Sequence, residues 1–155
     1  MKKKLYLAGR IFHKEKDKDR DYRSKFVSAI NNSILDGMIE FVYPVDYNVL
    51  TCVKDNGGSF SSSIVNMDLK LIYNSDILFA YFNEDLLDKY SYPFIGSSME
   101  IMFAHQHNKY IFTVVNKFSS EELRKHPFLR HFSDILIEDD ITFGKTIDIL
   151  GDFLL

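Results

Sequence analysis

Two apolar runs leave this chain little choice of architecture. They lie within residues 76–82, Asp76-Ile77-Leu78-Phe79-Ala80-Tyr81-Phe82, and 109–115, Lys109-Tyr110-Ile111-Phe112-Thr113-Val114-Val115. Neither alternates polar with apolar side chains, so each must be covered on both faces, the situation of a strand inside a parallel sheet. Parallel neighbours need a crossover, and the intervening Gly96–His105 segment supplies a Gly96-Ser97-Ser98 turn leading straight into an amphipathic helix.

The remaining elements repeat the alternation. Leu5 to Gly9 forms a short buried strand ending at a glycine. Tyr22, Phe26, Ile30 and Ile34 recur at helical spacing, with a start near Asp19–Asp21 and a stop at Gly37. Glu40–Tyr43 is a second strand, broken by Pro44, and Val45–Ser63 is a long loop holding the Gly57-Gly58 pair. A helix over 61–74 presents Ile64, Met67, Leu71 and Ile72 as one stripe. Residues 119–130 begin as a helix stopped by Pro127, Ser133–Ile137 is a fifth strand, and Asp139 or Asp140 caps a last helix bearing Phe143, Ile147, Leu150 and Leu154. The expectation is an α/β fold: one domain over 1–155, a doubly wound, flavodoxin- or Rossmann-like sheet of five parallel strands with helices on both faces. Ligands bind such sheets beyond the carboxyl ends of the strands, where the loops begin at Gly9, Pro44 and Asn83.

Charge and composition narrow the function. At 155 residues with 46% hydrophobic content, the chain can bury a real core, and a net charge of −3 lacks the basic excess of a protein that coats a nucleic-acid polymer. Lys2-Lys3-Lys4 precedes a strand too short for a signal peptide, and no apolar run reaches membrane-spanning length. The single Cys52 fits a reducing compartment, so a cytoplasmic protein with no membrane partner is expected.

Two acids stand out. Ser97-x-x-Glu100 fits a capping box, which by itself explains both residues. In a first helical turn at the ligand edge, Glu100 would stay ionised and could serve as a nucleophile. Asp68 interrupts the apolar stripe of its helix, where lost solvation raises a carboxyl pKa; a register one step off would instead leave it exposed. One ionised and one protonated carboxyl make an acid–nucleophile pair for glycosidic bonds. Tyr6 is either a core aromatic or a neighbour of this pair, and Gly9 permits close approach of a ligand. Asp46 and Asn48 fit turn positions, Arg10 and Arg20 could meet a phosphate, and Gly57-Gly58 lacks the rest of a phosphate-loop pattern. The five histidines form no H-E-x-x-H and pair with no cysteines, so zinc is not expected.

Three blocks together resemble the nucleoside 2-deoxyribosyltransferase family and its relatives, the nucleoside 5′-monophosphate N-glycosidases. They are Leu5-Tyr6-Leu7-Ala8-Gly9-Arg10-Ile11-Phe12, the segment from Asp68-Leu69 to Ser75-Asp76-Ile77-Leu78, and Gly96-Ser97-Ser98-Met99-Glu100-Ile101-Met102-Phe103-Ala104 followed by Asn108-Lys109. Pro44-Val45-Asp46-Tyr47-Asn48 is a looser match. The resemblance implies cleavage or transfer at an N-glycosidic bond, with Glu100 as nucleophile, Asp68 as the acid that protonates the departing base, and Tyr6 as orienter of the nucleophile. It implies a substrate-binding set of Gly9, Arg10, Phe12, Asn48, Gly96, Ser97 and Ser98. No metal or redox cofactor is implied, the partner is a small-molecule nucleoside or nucleotide, and a homo-oligomer, dimer or larger, is expected. The family's Asp six residues before the nucleophile is Phe94 here, and its Gly after Glu-Ile is Met102. Against the family pattern these departures imply a rebuilt sugar pocket, and they motivate an alternative, a non-catalytic sensor that binds a nucleotide-derived ligand on the same fold. A phosphoribohydrolase of the lysine-decarboxylase-like type would need a Pro-Gly-Gly before Gly96, which is absent.

Overall fold

The computed structural model describes residues 1–9, 21–45, 60–83 and 93–155. Five strands, β1 (Lys3–Ala8), β2 (Ile39–Val42), β3 (Ile77–Phe82), β4 (Tyr110–Asn116) and β5 (Ile135–Asp139), form one sheet in the order β2-β1-β3-β4-β5. Every pairing is parallel. Six helices connect and cover them: α1 (Tyr22–Asn31), α2 (Phe60–Tyr73), α3 (Pro93–Gln106), α4 (Glu121–Arg124), α5 (Pro127–Phe132) and α6 (Gly144–Leu154). The expected α/β class, strand number and parallel topology are those observed. Among the described residues no helix is long and apolar enough to cross a membrane.

The two-residue period of the strands divides the core. Leu5, Leu7, Phe79, Tyr81, Phe112 and Val114 face α1 and α6, meeting Tyr22, Phe26, Ile30 and Leu150. Phe26 stacks on Phe79 at 4.0 Å between ring centroids. Tyr6, Ala8, Leu78, Ala80, Ile111 and Val115 face the other way, against Ile72, Ile101, Ala104, Leu123 and Leu129. All six residues of β3 are buried, as its unbroken apolar sequence requires.

Acids at strand starts fix the register. Asp76 accepts from the Lys4 N–H at 2.8 Å, while its own N–H donates to the Lys4 carbonyl at 2.9 Å. Asp134 repeats the device with the Ile111 N–H at 2.8 Å and the Ile111 carbonyl at 3.0 Å. The acid ahead of β3 is thus accounted for by sheet register.

Several boundaries differ from the sequence expectation. The α1 helix ends at Asn31 with Asp21 as its N-cap, leaving Ile34 76% exposed and placing Leu35 in the core instead. Met67 lies outside the buried stripe of α2, at 41% exposure. The helix that starts this segment, α4, ends at Arg124 just before Pro127, and Pro127 also opens α5, since the first turn needs no N–H from it. At the last helix, Asp139 accepts from the Thr146 N–H and hydroxyl, each at 2.7 Å. Asp140 instead accepts from the Thr142 N–H at 2.9 Å and pairs with Lys117 at 2.8 Å.

Candidate active site

In the order β2-β1-β3-β4-β5 the winding direction reverses between β1 and β3, which opens a crevice at their carboxyl ends. Three side chains from distant parts of the chain converge there. Tyr6 comes from β1 on the face that α2 and α3 cover. Ile64, Asp68 and Ile72 follow one another at four-residue spacing on α2, so Asp68 inherits the buried side of its helix and is 8% exposed. Glu100 shares the inner face of α3 with Ser97 and Ala104, three residues before it and four after, both buried.

The Tyr6 hydroxyl donates to Glu100 Oε1 at 3.3 Å and also interacts with the Asp68 carboxyl. The Val45 N–H donates to Asp68 Oδ1 at 2.8 Å. Glu100 Oε2 is buried and has no hydrogen-bond partner among the described residues. Glu100 as a whole is half-buried, whereas this oxygen is shielded from water. Burial, and then the neighbouring Asp68 charge, push the Glu100 carboxyl up to about 8. Asp68 is also raised, chiefly by burial, against the pull of the Val45 N–H, Arg23 and Tyr6. Burial and the two acids push the Tyr6 hydroxyl far above an ordinary phenol, so it remains a donor at every accessible pH.

Beneath the two acids sits a cation whose role the sequence did not suggest. Arg23, 5% exposed, donates from Nε to the Leu7 carbonyl at 3.1 Å and from Nη2 to the Gly9 carbonyl at 2.6 Å. Its Nη1 pairs with Asp21 at 3.0 Å. Next to it the Tyr22 hydroxyl donates to the Ala8 carbonyl at 2.6 Å. The two side chains fasten the end of β1, where Gly9 turns with φ +128°, a conformation that favours glycine. The Gly9 N–H and the Arg23 charge both favour the ionised form of Glu100.

Two expectations about α3 are corrected. The helix starts at Pro93, so Gly96-Ser97-Ser98 is helical rather than a turn, and Glu100 lies in the second turn. There it neither closes a capping box with Ser97 nor takes the full stabilisation of the helix terminus, and its carboxyl is raised rather than held ionised. Met102, a supposed sign of a rebuilt sugar pocket, is 41% exposed in an apolar groove with Phe128 and Phe132 between α3 and α5. Ser98 lines the same groove and is not brought to Glu100, whereas Ser97 is buried on the Glu100 face; Gly96 is exposed. Arg10, Phe12 and Asn48 lie outside the described residues, as does the side chain of Phe94. Among the described residues no three His, Cys, Asp or Glu side chains form a metal-binding group.

Comparison with solved structures finds chains of similar fold. The chain superposes on the CMP N-glycosidase BcmB of Clostridium botulinum with a TM-score of 0.56 and 15% identity, over 98% of this chain and 100% of that one. The likeness is one of fold. No protein-family model matches the sequence. No curated protein matches it either.

Proposed function

We propose that this protein cleaves or transfers at the N-glycosidic bond of a (deoxy)nucleoside or nucleotide, with Glu100 as nucleophile. The observation that carries the proposal is Glu100 Oε2, a buried carboxylate oxygen without a donor among the described residues, on a side chain that neighbours a second acid and accepts from a tyrosine. Buried polar atoms are almost always satisfied, and one that is not marks a place where a ligand completes the set.

The chemistry follows from the arrangement. Burial and then Asp68 raise the Glu100 carboxyl, and Asp68 is raised as well, so the two acids titrate as a coupled pair. The reactive microstate is the one with Glu100 ionised and the proton on Asp68; the Tyr6 hydroxyl supports the Glu100 charge in it, as it also does that of an ionised Asp68. In that state Glu100 attacks the anomeric carbon, the bond to the base nitrogen breaks with its electron pair leaving on the base, and Asp68 supplies the proton. Water or an acceptor base then displaces the glycosyl ester and restores the carboxylate. BcmB, by its name a CMP N-glycosidase, supports this choice of bond through the shared fold.

The test is incubation with a panel of deoxynucleosides, ribonucleosides and their 5′-monophosphates, with and without an acceptor base, followed by chromatography of the free base. Release or exchange that E100Q abolishes is expected. A nucleotide that stabilises the protein against heat but is never consumed would establish the binding-sensor alternative instead.

A further inference from the structure

The histidines have no metal-binding spacing along the sequence, yet the fold brings two of them together away from the crevice. His105 lies in the last turn of α3 and His131 in the last turn of α5, and the two helices pack directly on each other. Both helices lead back to the amino ends of strands, β4 and β5, so their last turns lie at the sheet edge opposite Glu100. The two imidazole rings stand 6.5 Å apart between centroids, with an interplanar angle of 46°. Phe132 forms the corner between them, 5.1 Å from the His105 ring and 4.8 Å from the His131 ring, and steeply inclined to both. It supports the two rings from one side and keeps them from stacking on each other. Both histidines are exposed, so an ion carrying its own waters reaches them. His107, two residues after His105, points elsewhere and packs on Phe103 at 4.2 Å and Tyr73 at 5.3 Å.

The separation suits a shared ion. A metal held by two imidazoles lies about 2.1 Å from each nitrogen, and each nitrogen about 1.2 Å from its ring centre. The centres are then about 5.4 Å apart at a tetrahedral angle and about 6.6 Å apart when the ligands oppose each other. The observed 6.5 Å falls at the open end of that range, and exposed rings close the remaining distance by side-chain rotation. Imidazole suits zinc, nickel and copper, whereas magnesium and calcium demand oxygen ligands. We propose that His105 and His131 form a two-imidazole site for a divalent transition-metal ion. Among the described residues no third His, Cys, Asp or Glu joins them, so water completes the coordination. The bound ion fastens the last turn of α3, the helix that carries Glu100, to α5. It thereby also holds the two walls of the apolar groove that Met102, Phe128 and Phe132 line. The proposal stands or falls independently of the glycosidic reading.

The experiment titrates the tag-free, chelator-treated full chain with zinc chloride and nickel chloride, with magnesium chloride as the control. Calorimetry gives stoichiometry and affinity, thermal melts give stabilisation, and nitrogen-15 NMR follows the histidine rings. One zinc or nickel ion per chain is expected at micromolar affinity, raising Tm by about 5 °C when the ion exceeds its Kd about 100-fold. The His105 and His131 ring signals should move together up to one equivalent, while those of His107 stay in place. H105A and H131A should each lose the Tm rise and weaken binding at least about tenfold, since even the loss of an outer-shell partner costs that much. H107A should bind as wild type does. Absence of a one-to-one complex, a Tm rise that magnesium reproduces, or undiminished binding by either H105A or H131A overturns the proposal. Should either variant not fold, the wild-type NMR titration decides: joint movement of the two ring signals upholds the site, and movement of one alone overturns it.

Discussion

The Tyr6 hydroxyl on β1 donates to Glu100 Oε1 on α3 at 3.3 Å, across 94 residues of sequence. No other side chain among the described residues donates to that carboxylate within hydrogen-bond distance, and Oε2 beside it has no partner. Tyr6→Phe therefore removes this side-chain donor, leaving the Gly9 N–H, and raises the Glu100 pKa further, because the Tyr6 bond favours the ionised form. With a cleavable substrate, kcat should fall about 10- to 100-fold, or about 1.4–2.8 kcal/mol in the barrier, with little change in KM. Steady-state kinetics across pH 5–9 measure it. A kcat within twofold of wild type would show that Tyr6 is only a core aromatic.

The raised carboxyl makes stability depend on pH. Glu100 titrates near 4.5 when unfolded and at about 8 when folded, so the folded state binds its proton more tightly. The stabilising effect is complete below about pH 4.5, declines as pH rises through this window, and is gone above pH 8. Glu100→Gln removes the titration. It should be more stable than wild type at pH 8.5 by something on the order of 2 kcal/mol, with the difference shrinking toward pH 4. Denaturant unfolding at both pH values decides it, and an advantage that does not change with pH refutes the assignment.

Asp68 should be separable from Glu100 by charge. Asp68→Asn keeps an oxygen for the Val45 N–H but removes the anion that raises Glu100. The acid limb of the pH–rate profile is expected to move down by about 1 unit, since Glu100 ionises more easily. The rate should nevertheless fall about 100-fold where the leaving base needs a proton, and recover with a substrate whose base departs unprotonated. Equal losses for good and poor leaving groups would rule out Asp68 as the acid.

The sheet was legible because parallel burial writes itself into unbroken apolar runs, as in β3 and β4. Asp68 was legible because it breaks a helical stripe between Ile64 and Ile72. Glu100 was found through a misleading signal: Ser97-x-x-Glu100 mimics a helix start, yet Pro93 begins the helix four residues earlier and turns the supposed cap into an interior face. Met102 misled for a related reason, since a residue two positions from Glu100 points to another side of the helix. Arg23 gave no signal. An arginine next to a charged run looks like surface, and its burial depends on carbonyls at the end of a strand 14 to 16 residues away, with no local pattern to announce it.

Gly9 ties these elements together and offers the sharpest contrast. Its φ of +128° disfavours any L side chain, and an added Cβ would sit 3.4 Å from Tyr22 Cε1 and 3.6 Å from Arg23 Nη2. Gly9→Ala should therefore cost about 1–3 kcal/mol of stability through the backbone conformation, the added Cβ making only ordinary contacts, and disturb the turn that Arg23 and Tyr22 fasten. Gly37 provides the control: it also has a positive φ, of +75°, but a Cβ there meets nothing within 4 Å and it lies far from the crevice. Gly37→Ala should lose only the backbone preference, about 1 kcal/mol, and leave kcat untouched. Thermal melts and kinetics on the two variants separate strain from function. Backbone strain alone predicts similar stability losses and no difference in rate; the fastening of β1 by Arg23 and Tyr22 predicts that only Gly9→Ala loses kcat, with the Glu100 titration displaced upward alongside it.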